Sequence, residues 1–335
     1  MHIVPRCRRT SGVKNGRIFQ RPVQIGQRLG IAPGLQMPQR PRQIGQGIVV
    51  VQVALAFGNV YVTDLLPKGG KEIEQWLTWR HQKAGGQFDL IEGRTAFEYG
   101  VTDNFQAAVY TNYAWSRAYH NAVDGTTAPP ETFAGARVGP NSHWHSGKFV
   151  GISLEGIYRV LSPYIHPVGL ALYLEPTFGK NLFEVENRII VQKNFLDDRL
   201  IVASNVTINL EGRRLPGVPE EVGYASRKHW DHETDFNISL ASSYRFIPNW
   251  SAGFEFINER EYSNFSLDPD RRNNVAYYLG PVIHFGGERF FVTATFLTQL
   301  PWAQDFAHAG VIKDGRNYAD DFEKYRLRVK VGFTW

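Results

Sequence analysis

From about residue 71 to the end of the chain, apolar and polar residues alternate in stretches separated by turn-forming residues. A β-strand puts successive side chains on opposite faces, so each stretch predicts a strand with one greasy face and one wet face. The last stretch shows this best: Tyr325, Leu327, Val329, Val331, Phe333 and Trp335 share one face, while Arg326, Arg328, Lys330, Gly332 and Thr334 share the other. Eleven more stretches precede it, over residues 71–82, 87–100, 105–117, 148–160, 169–178, 182–194, 199–211, 234–246, 250–262, 274–285 and 289–300. In residues 199–211, for example, Leu200, Val202, Val206, Ile208 and Leu210 oppose Asn205, Thr207, Asn209 and Glu211.

Alternation alone fits a soluble sandwich as well as a barrel. Three features favour a single transmembrane antiparallel up-and-down β-barrel of about twelve strands, an even number as bacterial barrels have. Apolar faces on about twelve strands would need a very large sandwich core, yet the opposite faces carry charges throughout. Short and long connections mostly alternate: those at 101–104, 162–168, 195–198, 247–249 and 286–288 are short, whereas those at 118–146, 212–232, 263–273 and 301–322 are long. The links at 83–86 and 179–181 depart from this, being short where long is allowed. Aromatic residues also gather at strand ends. Tyr99, Phe105, Tyr244, Phe246, Trp250, Phe290, Phe333 and Trp335 lie beside short turns, and Trp79, Trp115, Phe178, Phe236 and Tyr325 lie toward the long loops, as two interfacial girdles would.

Charge changes the picture of the N-terminal region. The chain carries a formal net charge of +5. Nine of its 37 basic residues fall within residues 1–46, which hold no Asp or Glu, so the remainder has 28 basic against 32 acidic residues. The body therefore has no basic footprint for nucleic acid. Residues 1–46 also lack hydrophobic periodicity and cannot build a core, which reads as a basic tail from a start codon set too far upstream. Residues 47–56 contain an apolar run, Ile48-Val49-Val50-Val51-Gln52-Val53, ending in Ala54-Leu55-Ala56 behind Arg40 and Arg42. That is the pattern of a signal peptide, with cleavage expected after Ala56 and the barrel domain over 57–335. Cleavage there would remove Cys7, the one cysteine in the chain.

Several segments together resemble an uncharacterised family of Gram-negative outer-membrane β-barrel proteins of porin or transporter type. They are Leu66-Pro67-Lys68-Gly69, Glu98-Tyr99-Gly100-Val101-Thr102-Asp103, Ser153-Leu154-Glu155-Gly156-Ile157-Tyr158-Arg159, Tyr173-Leu174-Glu175-Pro176, Gln192-Lys193-Asn194-Phe195-Leu196-Asp197-Asp198-Arg199-Leu200 and Val331-Gly332-Phe333-Thr334-Trp335. The resemblance implies location and fold: the outer membrane, with both barrel termini periplasmic. It also implies that the closing strand, through Tyr325, Val331, Phe333 and Trp335, is an assembly signal read by the barrel-assembly machinery. Lipid is the expected surroundings, and small solutes are the expected cargo.

The inward faces supply the candidate site. Glu92, Arg94, Glu98, Glu155, Arg159, Glu175, Glu184, Glu186, Arg188, Arg245, Glu255, Glu259, Arg326, Arg328 and Lys330 are the expected pore-lining residues. Two readings of this lining stand: a narrow pore selecting small polar or charged solutes, or an ion-pair network that plugs the lumen and supports the wall. A third reading is a lipid- or envelope-modifying hydrolase. Ser142, His143, His145 and Ser146 carry nucleophilic chemistry, but all lie in a long loop, and no His is found beside a Ser on a lipid-facing strand position. His229 and His232 with Asp231 and Glu233 are loosely spaced for a metal site, and no phosphate loop or His-Glu-x-x-His is found, so no metal or cofactor is expected.

Overall fold

The computed structural model describes residues 57–216, 227–306, 311–313, 316–319 and 322–335. The tail and leader expected over residues 1–56 lie outside them. The strands are β1 (Lys71–His81), β2 (Gln87–Thr102), β3 (Phe105–Tyr119), β4 (Trp144–Leu161), β5 (Gly169–Gly179), β6 (Leu182–Phe195), β7 (Leu200–Leu215), β8 (His229–Ile247), β9 (Trp250–Ser263), β10 (Arg272–Gly286) and β11 (Phe290–Gln299). In the last loop follow β12 (Gln304–Asp305), β13 (Val311–Lys313) and β14 (Arg316–Tyr318), and then the closing strand β15 (Tyr325–Thr334).

Strands β1 to β11 each pair with their sequence neighbour, and β15 lies antiparallel between β11 and β1, so twelve strands form a closed ring. In the closing seam Trp76 faces Lys330, Thr78 faces Arg328 and Arg80 faces Arg326. Closure gives each of these twelve strands a partner on both sides, so the ring has no edge strand. β12 is an extra strand on β10, and β13 and β14 form a separate small hairpin.

The expected strands are present, most of them longer than their alternation suggested. β8 begins at His229 and β4 at Trp144, because pairing continues into residues whose sequence is too polar to read as strand. All long connections emerge at one end. The two short links, Gln82–Gly86 and the pair at 180–181, lie at that same end, so they interrupt the length pattern and not the topology. At the other end the turns are tight. Leu196, Asp197 and Asp198 all adopt positive φ between β6 and β7, and Asn249 does so at φ 68° between β8 and β9. Asp and Asn tolerate this conformation better than most residues.

The outer surface is apolar along its waist. Leu154, Leu172, Leu174 and Ile189 each leave nearly half their surface uncovered. In water this would be an aggregating surface, whereas in lipid it is the required one. Among the described residues no helix is long and apolar enough to cross a membrane. Trp250, Phe290, Phe333 and Trp335 form an exposed aromatic band at the tight-turn end.

Residues 57–70, expected as the beginning of the barrel domain, contribute no strand to it. They run through the lumen. Phe57, Val60 and Val62 pack on Ile201, Ala203, Ala241 and Val282, inward-facing residues of β7, β8 and β10. Apolar side chains in this stretch are thus covered by the inside of the barrel wall rather than by lipid.

Candidate functional site

The luminal segment is held mainly by side chains, because its backbone donors have no strand to pair with. Glu255 on β9 is fully buried and accepts from the backbone N–H of Gly58 (2.5 Å), the backbone N–H of Asn59 (3.0 Å), the Asn59 side-chain amide (2.7 Å) and the Thr295 hydroxyl (2.9 Å). Asn205 on β7 makes a reciprocal pair with Tyr61: Oδ1 accepts from the Tyr61 N–H (2.7 Å), and Nδ2 donates to the Tyr61 carbonyl (2.9 Å). Gln192 on β6 accepts from Thr63 N–H (2.7 Å), and Gln106 on β3 accepts from Leu66 N–H (2.8 Å). Six strands thereby fasten one extended segment by polar contacts or packing. Gly58 is needed there, since a Cβ would lie 2.5 Å from Thr295 Oγ1. At the root of the segment Gly100 is needed likewise, since its Cβ would meet the Pro67 carbonyl oxygen at 2.1 Å.

Tyr61 stands at the middle of the lumen. Its ring meets Tyr173 edge-on at 5.0 Å and lies 6.1 Å from Trp76, and the Arg188 guanidinium lies over it at 4.3 Å. Trp76 in turn packs edge-on against Tyr110. The Tyr110 hydroxyl donates to Glu155 at 2.8 Å. This aromatic layer, together with Asn59, forms the floor of a cavity of about 740 Å³ that extends toward the long-loop end.

The cavity walls differ in charge. The seam wall, β15–β1–β2 and the loop entering it, presents Arg80, Arg94, Arg326 and Arg328 with Glu92 and Glu323. The strand order sets β7 opposite β1. There, β6 to β9 present Glu184, Glu186, Glu211, Glu233, Asp235, Glu259 and Glu261 with Arg188, Arg213 and Arg214. Register stacks the carboxylates in a row, Glu184 facing Glu211 and Glu211 facing Glu233 across adjacent strands. Directly opposed like charges destabilise a sheet, and Arg213, paired with Glu211 and with Glu131 of the β3–β4 loop, offsets part of that repulsion. Ion pairs tie the walls: Arg326 is bidentate on Glu259 (2.6 and 2.8 Å) and holds Glu323 (2.5 Å). Arg80 pairs with Glu92 (2.7 Å), Arg94 with Glu175 (2.5 Å) and Arg188 with Glu186 (2.5 Å).

Of the residues expected to line a pore, Glu92, Arg94, Glu175, Glu184, Glu186, Arg188, Glu259, Arg326 and Arg328 do border this cavity. Glu98, Glu155, Glu255 and Lys330 face inward but are buried in and around the floor. Arg159 and Arg245 are a correction: they sit at the tight-turn rim. Arg159 donates to the Asp103 carbonyl (2.5 Å) and Arg245 borders a small rim cavity with Asp198 and Asn249. Each lies near the end of its strand, and the Arg159 side chain reaches the β2–β3 turn instead of the lumen. Of the closing-strand residues, Val331, Phe333 and Trp335 project outward toward lipid and Tyr325 stacks on Phe296.

Sequence reasoning missed the luminal segment and the inward residues Glu72, Glu74, Trp76 and Tyr110, although alternation over 169–178 did place Tyr173 on the inward face with Glu175. Glu72 and Glu74 had a signal, since they share the polar face of 71–82 with Thr78. The aromatics had none, because an aromatic in a barrel strand reads first as a lipid or interfacial residue. The loop histidines stay peripheral: exposed His143 stacks on Tyr119 at 3.7 Å, and His232 lies against Phe265 at 4.6 Å.

A closed twelve-stranded barrel with a lipid-facing exterior and a charged interior has the architecture of the outer-membrane channels. The chain belongs to a family of unknown function (DUF6662), whose family model matches residues 54–335. Among solved structures it is similar in fold to an outer-membrane channel from Pseudomonas putida, with a TM-score of 0.50 at 11% identity, covering 82% of this chain and 98% of that one. It is also similar to the NanC porin (TM-score 0.44, 8% identity, 78% and 98% covered) and to the β domain of the Bordetella autotransporter BrkA (TM-score 0.47, 9% identity, 80% and 100% covered). Among curated proteins none matches the chain.

Proposed function

We propose that this protein is a bacterial outer-membrane channel for small polar or charged solutes, with its tight turns and both barrel termini on the periplasmic side and its long loops outside. The observation that carries this reading is the cavity of about 740 Å³, bordered by charged walls of opposite excess and open toward the long loops. A solute entering it exchanges hydration for fixed charges and amides, and walls of opposite excess orient one with separated charges. The luminal segment constricts the periplasmic half, so the channel conducts weakly at rest and opens when residues 57–66 leave their contacts. Cleavage after Ala56 fits this arrangement. Phe57 is buried inside the wall, and processing there leaves the lumen no further chain to accommodate.

The test is single-channel recording in planar bilayers, using protein produced with its own leader and extracted folded from membranes. Small, ion-selective steps that enlarge when the luminal segment is deleted support a constricted channel. Silence from both folded proteins replaces this reading with that of a plugged structural barrel.

A further inference from the structure

Below the floor, at the root of the luminal segment, β1 and β2 bring three carboxylates together. Glu72 faces Glu98 directly in the register, and Glu74 follows on the same inward face. The three residues are 2%, 1% and 6% exposed for Glu72, Glu74 and Glu98. A carboxylate oxygen from each lies within 4.8 Å of the others. Close burial of acids is not in itself a site, because acids so placed could share protons.

The hydrogen bonds give the second observation. Glu98 is partnered, accepting from Gln106 Nε2 at 2.6 Å. Both oxygens of Glu74 and Oε2 of Glu72 are shut off from solvent and have no donor at full hydrogen-bond geometry; the Trp76 indole N–H lies near Glu74 and is itself unsatisfied. A buried carboxylate oxygen without a donor is costly, and three in one place point to a missing positive partner. The cation at hand, Lys330, does not fill that place. Its ammonium lies over the Trp76 ring, 3.7 Å from the centroid. Three ionised carboxylates and one ammonium leave two negative charges, which a divalent ion would balance. Ca²⁺ takes oxygen ligands at about 2.3–2.6 Å, so two oxygens on one ion can lie as far apart as about 4.8 Å.

We propose that Glu72, Glu74 and Glu98 bind one divalent cation of the Ca²⁺ class, and that this ion fixes the root of the luminal segment. The link is short: Glu98 holds Gln106, whose Oε1 accepts from the Leu66 N–H. With the ion in place Glu98 and Gln106 are held, and Leu66 keeps its acceptor. The proposal does not depend on whether the barrel conducts.

The test uses full-length, folded protein in lipopolysaccharide-free micelles, stripped with EDTA. Titration with Ca²⁺ in a calorimeter is expected to give one site per barrel, and Tb³⁺ should luminesce on excitation of nearby Trp76. Glu74→Gln, checked for folding by heat-modified gel mobility, should weaken Ca²⁺ binding at least tenfold. Trp76→Phe should lose the luminescence and keep the calorimetric site. Ca²⁺ should also slow hydrogen exchange at the Leu66 amide in the unaltered protein and not in Glu74→Gln. No binding, or binding unchanged in both Glu74→Gln and Glu72→Gln, overturns the proposal. So does a Glu74→Gln barrel that is more thermostable and indifferent to EDTA, since the carboxyls would then be sharing protons.

Discussion

The two halves of the lumen are made by the same twelve strands and filled in opposite ways. In the tight-turn half, Phe57, Val60 and Val62 close against Ile201, Ala203, Ala241 and Val282, and each backbone donor noted above finds a side-chain acceptor. In the long-loop half the β3–β4 loop folds inward, Phe133 packing on Phe88, Leu90 and Ala114 and Glu131 reaching Arg213 on β7 at 3.4 Å, and charged side chains pair along the walls around a cavity of about 740 Å³. A twelve-stranded barrel is wider than its own side chains can fill, so it stays open unless another piece of chain enters. The difference teaches that the strands set the width, while the N-terminal segment in one half and the β3–β4 loop in the other set what remains open.

The strongest way to break this contrast is to empty the filled half. Phe57→Ala combined with Val60→Ala and Val62→Ala should cost on the order of 5 kcal/mol of docking, since a buried Phe→Ala alone costs about 3–5 kcal/mol. Conductance should rise severalfold, and the amides of Gly58, Asn59, Tyr61 and Thr63 should lose protection from hydrogen exchange while the barrel keeps its heat-modified gel mobility. Unchanged conductance would separate the packing from the constriction.

Glu255→Ala attacks the same half through its polar clamp. It leaves three donors of the segment without an acceptor, each worth about 1–3 kcal/mol when buried, so a loss near 4 kcal/mol is expected. Exchange at Gly58 and Asn59 is the readout, and Glu255→Gln should lose less, because it keeps one carbonyl acceptor.

Arg326→Met tests the open half. It strands Glu259 and leaves Glu323 with Arg80 alone, at a cost of about 3 kcal/mol in urea unfolding. Cation selectivity in reversal-potential measurements should increase.

The outer face supplies a control with a different cause. Leu174→Arg puts a charge on the lipid side of β5 and should destabilise by about 2–4 kcal/mol in bilayers, falling toward zero for the same change near either rim. The smallest effect is expected from Glu184→Gln. Removing one charge from the row Glu184–Glu211–Glu233 relieves repulsion, so stability should change by less than about 1 kcal/mol while cation selectivity falls. A loss of stability would mean that the row already holds a bound cation.

Most of the wall was legible because lipid outside and charge inside impose a period of two on every strand. Leu200 to Leu210 and Tyr325 to Trp335 could be placed on their faces from sequence alone. Extra strand length at His229–Glu233 was not legible, since ladder hydrogen bonds there hold polar residues that no apolar face marks. Glu72 and Glu74 could have been found by extending the alternation of β1. Tyr173 was placed inward by the alternation of 169–178, whereas the part Tyr110 plays in the floor was not legible, because a ring on the inward face has the same signature as one in a girdle.

The sequence by itself determined the twelve alternating strands, the end from which the long loops emerge and the strand that closes the ring. Each follows from local patterning and turn chemistry. Tertiary structure alone decided which way Phe57 to Leu66 run, because Phe57, Val60, Tyr61, Val62, Leu65 and Leu66 can be covered by any apolar wall. It also decided which charges meet. Arg326 reaches Glu259, 67 residues away in the chain, and Glu255 reaches Gly58 across 197. Such partners are set by ring closure, which brings distant strands face to face across a lumen of fixed width.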